Sequence, residues 1–95
     1  MKGYVVCVYK NITNEEKLKE YAVKARVAVE SFNGKFLIRG GRTVSKEGEK
    51  SPRTVVIEFP SYDEANSFYN SKEYQDAHSI LKGYAIRQHQ TIEGA

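Results

Sequence analysis

Four residues of this chain have the side-chain types and settings for chemistry: Arg39, Glu58, Tyr69 and His89. An arginine presents a planar fork of donors that fits a carboxylate or phosphate, and a glutamate can hold that fork in place. A hairpin turning about Gly48 places Arg39 directly opposite Glu58, and directly opposed residues share a face of a sheet. The sharper reading of this pair is an anion site. The plainer one is a cross-strand ion pair that makes a half-buried charge tolerable. His89 lies in the last apolar segment with Arg87 and could act as a base near neutral pH. A half-exposed polar strand residue is the ordinary alternative. Tyr69 belongs to an apolar set and is the tyrosine expected to line any pocket between sheet and helices.

Other chemistry is poorly supplied. The one cysteine, Cys7, allows no internal disulfide and sits mid-strand, where nothing lowers its pKa. With two separated histidines, His78 and His89, it meets no zinc spacing, so no metal or other cofactor is expected. Gly40-Gly41 follows Arg39 without a GxGxxG pattern or a helix directly after it. It reads as a bulge or a close approach of another group, not as a nucleotide loop.

The elements that must position these residues follow from periodicity. Ninety-five residues make one domain, 1–95. Gly3 to Lys10 is β-branched and aromatic and reads as a strand apolar on both sides. Thr13-Asn14-Glu15-Glu16 has the capping-box pattern, and Leu18, Tyr21, Ala22, Ala25, Ala28, Val29 and Phe32 form one helical stripe. Asn33-Gly34 ends it, with Gly34 free to take positive φ. Lys35 to Thr43 and Arg53 to Pro60 read as strands, with Phe36, Ile38, Val55, Ile57 and Phe59 turned to the core. Ser61 and Ser71 cap two short helices, and Tyr84 to Ile92 is the last strand. Ile86 and Ile92 occupy one face of that strand, Arg87 and His89 the other. The order predicts an α+β, ferredoxin-like βαββαβ chain, a four-stranded antiparallel sheet with helices on one face.

Helices on one side leave the other sheet face bare. The first strand has no polar face, so either Val5, Cys7 and Tyr9 or Tyr4, Val6 and Val8 must lie there. A contiguous apolar patch of this kind marks an interaction surface, and a second copy about a two-fold axis is the simplest partner. The expected assembly is a homodimer, a dimeric α/β barrel.

The segments Lys2-Gly3-Tyr4, Gly34 to Gly41, Val56 to Ser61 and Phe68 to Tyr74 resemble the family called domain of unknown function 1330, of the dimeric α/β-barrel superfamily. The resemblance covers nearly the whole chain in order. It implies a ferredoxin-like protomer and a homodimer, and brings no activity. Two positions depart from the family pattern: Phe68 stands where members often carry Trp, and Leu81 where they often carry Arg.

The net charge of +3 raises nucleic acid as a partner, but Lys17, Lys19 and Lys24 are interleaved with Glu15, Glu16 and Glu20. An RNA-recognition motif shares the element order but needs stacking aromatics where this chain has Val55 and Ile57. No run approaches a membrane span. The sequence thus predicts an uncharacterised cytoplasmic homodimer with a small-molecule pocket, anionic or aromatic in preference, beside the sheet. The alternative is a non-catalytic structural or regulatory dimer module. Whether the chain is an enzyme is left open.

Overall fold

The computed structural model describes residues 1–95. Seven elements follow in order: β1 (Gly3–Ile12), α1 (Glu15–Ser31), β2 (Lys35–Arg39), β3 (Thr54–Phe59), α2 (Tyr62–Asn70), α3 (Lys72–Leu81) and β4 (Ala85–Glu93). The strands form one sheet in the order β2-β3-β1-β4, every neighbouring pair antiparallel. This is the ferredoxin-like α+β arrangement, with the second helical segment split in two.

The split is made by Ser71. Its hydroxyl donates to the Phe68 carbonyl at 2.7 Å and accepts from the Tyr74 amide at 3.1 Å, so one side chain closes α2 and opens α3. Ser61 caps α2 in the same way, accepting from Glu64 N. At α1 the expectation shifts by one residue. Asn14, not Thr13, is the cap and accepts from Lys17 N. Thr13 is drawn off by the Tyr84 carbonyl, which takes both its amide and its hydroxyl. At the far end Asn33 takes the positive φ of 60°, not Gly34. Gly34 is needed for a different reason: a Cβ there would lie 2.7 Å from both Phe59 and Val29. The chain leaves the helix by pressing its backbone onto the core.

The core lies between the sheet and the helices. Val5, Cys7 and Tyr9 of β1 and Val55, Ile57 and Phe59 of β3 are buried against α1, α2 and α3. Of the two alternatives for β1, Tyr4, Val6 and Val8 are therefore the set on the open face.

In β2 the expected pattern is overturned. The strand is shorter than Lys35 to Thr43, and its register slips between Phe36 and Ile38. Phe36 is opposite Ile57, but Ile38 is opposite Val56 and Arg39 opposite Val55. Leu37 is the extra residue of a bulge, and a bulge exchanges the faces of everything after it. Ile38, expected in the core, is 47% exposed on the open face. Arg39, expected on the open face, is carried to the helix side.

Candidate functional site

Strand register brings the polar residues of the helix side into two rows across the sheet. Arg87 is opposite Tyr9, and the Tyr9 amide donates to the Arg53 carbonyl at 2.9 Å. His89 is opposite Cys7, Cys7 opposite Val55, and Val55 opposite Arg39. Three strand spacings of about 4.8 Å put roughly 14 Å between the backbones of His89 and Arg39. Between them lies an otherwise apolar floor.

Arg87 is the centre of the site. Its Nη1 donates to Tyr9 Oη at 3.1 Å, to Tyr21 Oη at 3.0 Å and toward Cys7 Sγ at 3.4 Å. Its Nη2 donates to Tyr74 Oη at 2.6 Å. Tyr21 and Tyr74 share a further hydrogen bond of 2.9 Å. The guanidinium also lies 5.0 Å from the Tyr21 ring centre and 5.4 Å from that of Tyr9, a cation–π arrangement. Residues from β1, α1 and α3 thus close on one cation of β4.

No carboxylate balances it. The five ion pairs of the chain belong to Lys2, Lys17, Lys19, Arg26 and Lys72. Burial works against the charge of Arg87, but the oxygen and sulfur atoms around it hold its pKa above the ordinary arginine value. It stays a cation. The phenols do not ionise to meet it: burial pushes Tyr9 up to about 12 and Tyr74 higher still, despite the guanidinium beside them. Burial also raises the Cys7 thiol, against the pull of Arg87.

His89 stands beside this cage. Its ring centre is 4.9 Å from that of Tyr69 and 5.9 Å from that of Tyr74. Burial first, then the charges of Arg87 and His78, lower its pKa to about 4. It is a neutral imidazole at neutral pH.

Two cavities share Arg87 and His89 as walls. The inner one, about 30 Å³, lies between sheet and helices and is also lined by Tyr9, Tyr21, Arg39, Arg53 and Tyr74. The outer cleft, about 410 Å³, lies at β4 and α3 and adds Tyr69, His78, Lys82 and Ile86. Neither is lined by an acidic side chain.

The four residues marked by the sequence are distributed as follows. Arg39 and His89 line the inner cavity, and Tyr69 and His89 line the outer cleft. Glu58 is elsewhere. It is opposite Lys35 and Tyr4, accepts from Tyr4 Oη at 3.1 Å and pairs with Lys2 at 3.6 Å. The expected Arg39–Glu58 pair does not form, because the slip at Leu37 sets Arg39 against Val55 and on the other side of the sheet. Arg39 instead lies over the Phe36 ring at 4.6 Å. Gly40, with φ 76°, leaves room for Arg53, whose Nη1 would be 2.7 Å from a Cβ there.

Sequence reasoning missed the cage of Tyr9, Tyr21, Tyr74 and Arg87, and Arg53. The available signal was the spacing of Arg87 and His89, two apart and so on one face of a strand. Where that face meets the core, a charge demands partners.

The topology and the polar cluster under its helices define a ferredoxin-like α+β protein. Residues 2–95 match the model of the family described as Domain of unknown function (DUF1330), and the chain belongs to that family. Among solved structures, a protein of unknown function from Rhodopseudomonas palustris is 12% identical, with a TM-score of 0.78 over 99% of this chain and 82% of that one. A dimeric ferredoxin-like protein of unknown function from a Jannaschia species is also 12% identical, with a TM-score of 0.78 over 99% of this chain and 100% of that one. SnoaB, a cofactor-independent oxygenase from Streptomyces nogalater, is 9% identical with a TM-score of 0.66, covering 98% of this chain and 92% of its own. At these identities the likeness is one of fold. No curated protein matches the chain.

Proposed function

We propose that the protein is a homodimer, joined through the open sheet face, that binds a small organic anion between sheet and helices at Arg87. The observation that carries the ligand is the charge of Arg87. A cation held among neutral groups, in walls with no carboxylate, is balanced best by an anion from outside. The outer cleft falls within the usual range of ligand sites, and Tyr69 and Ile86 give it apolar walls for an organic body. Dimerisation is supported by the bare apolar face and by relatives of this fold described as dimeric.

The test is a thermal-unfolding screen with aromatic carboxylates and phenols, benzoate and 4-nitrophenol among them. Ligand at a hundred times its Kd stabilises the folded state by about 2.7 kcal/mol, which shifts the midpoint of a domain this size by several degrees. Arg87→Met, checked for folding by circular dichroism, loses that shift. An equal shift in Arg87→Met places any binding elsewhere, and no shift with any compound removes the ligand-binding reading.

A second reading has one observation in its favour. The inner cavity, about 30 Å³, is small enough to be filled by ordered water alone, so the cage can serve as packing in a structural dimer.

A further inference from the structure

A count of hydrogens at the cage goes further. Arg87 donates to the hydroxyl oxygen of Tyr9, of Tyr21 and of Tyr74. Each oxygen is thereby an acceptor, and each phenol keeps its own proton, since burial raises the pKa of Tyr9 and Tyr74. One of the three hydroxyl hydrogens is spent in the Tyr21–Tyr74 bond. The other two, that of Tyr9 and one from the Tyr21–Tyr74 pair, meet no acceptor in the chain. The walls of the inner cavity contain no carboxylate, amide or aliphatic hydroxyl side chain; beside the phenols, their side-chain acceptors are the sulfur of Cys7 and one ring nitrogen of neutral His89. Arg53 Nε is a further buried donor without a partner on those walls. The site therefore presents donors and a positive charge, with little to accept them. Buried donors left without acceptors are costly, so such a set is complete only when an acceptor enters.

The size of the cavity limits what that acceptor can be. About 30 Å³ is too little for the body of an organic ligand and leaves room only for its oxygen end. The outer cleft shares Arg87 and His89 with it and holds about 410 Å³. We propose that the inner cage is an oxyanion pocket for a single oxygen conjugated to an apolar body, a phenolate or enolate, with the body seated in the outer cleft. The proposal rests on the anion-binding reading above and narrows its ligand class. Preorganised hydroxyl donors behind a guanidinium favour the ionised oxygen over its protonated form, as donors aimed at a developing charge do in catalysis.

The probe is 4-nitrophenol, which absorbs visible light only as the phenolate. Its spectrum is titrated against pH with and without the full-length protein. The bound probe is expected to ionise at least about tenfold more readily than the free one. Tyr9→Phe and Tyr21→Phe, which keep the rings and remove single donors, each reduce that gain by about tenfold or less. Both are checked for folding by circular dichroism, and either suffices if the other fails to fold. A probe that binds through Arg87 but stays a phenol, or whose ionisation is unchanged in both Phe variants, overturns the oxyanion pocket and leaves the anion site standing. A probe that does not bind at all overturns both.

Discussion

Arg87 holds its charge among phenols and a thiol, and His89 loses its own first to burial and then to the charge of Arg87. The two residues are alternate positions of β4 and face the same interior. A histidine whose folded pKa is about 4, against the usual 6.5, binds fewer protons folded than unfolded between those values. Stability from this group is complete above pH 6.5 and is lost as the pH falls toward 4, by up to about 3 kcal/mol. Denaturant melts at pH 7 and pH 4.5 measure it, and His89→Gln should flatten the difference. A His89→Gln protein with the full acid loss would assign it to the carboxylates instead. Anion binding at Arg87 removes part of the repulsion, so the His89 pKa should rise on addition of 4-nitrophenol, read from its ring protons by NMR. That Arg87 and His89 share one face of the last strand was legible in the sequence; that this face meets the helices was not. Nor was the cage, because Tyr21 and Tyr74 reach it from two helices, and only tertiary packing brings α1 and α3 onto β4.

At the scale of elements, local signals did well where the chain decides locally. Both serine caps are where the pattern places them, and Ser71 satisfies groups at two helix ends at once. Ser71→Ala should lower stability by about 1–2 kcal/mol, a drop of several degrees in Tm by calorimetry. A change of less than a degree would mean that packing of Phe68 and Tyr74 fixes the α2–α3 corner alone. The cage depends on the same corner, since Tyr74 lies in the first turn of α3. Signals failed where two elements compete for one group. Thr13 yielded its capping role to Asn14 once the Tyr84 carbonyl claimed it. The strongest failure is Leu37. A strand of alternating residues carries no mark of a one-residue slip, yet that slip moves Arg39 from the open face to the inner cavity. The pairing of Arg39 with Glu58 was lost to the same slip.

In the whole molecule the sheet is a partition. Its helix side carries the arginines, tyrosines and histidine of the cage. Its open side carries Tyr4, Val6 and Val8 of β1, Val56 of β3, and the exposed Ile38 and Ile92 of the two edge strands. These six residues run across all four strands, and no helix covers them. Central-strand valines facing water are a standing loss of hydrophobic stabilisation that a second copy would recover, at about 25 cal/mol per Å² of apolar surface buried. Glu58 and its bond to Tyr4 lie on this same side, as a polar rim. The proposed dimer is thus expected to be strong, and it is expected to be independent of the ligand site behind the sheet. Val6→Lys puts a charge on the middle strand of the interface without touching the core, because Val5 and Cys7 are the inward residues there. Light scattering should find wild type as a dimer at micromolar concentration and Val6→Lys as a monomer with native circular dichroism. A monomeric wild type would remove the dimer outright. If Val6→Lys dissociates and still shows the 4-nitrophenol shift at similar affinity, each protomer holds a whole site. If dissociation abolishes that shift while the fold persists, the open face positions Arg87 through the sheet, and the partition is not the barrier its geometry implies.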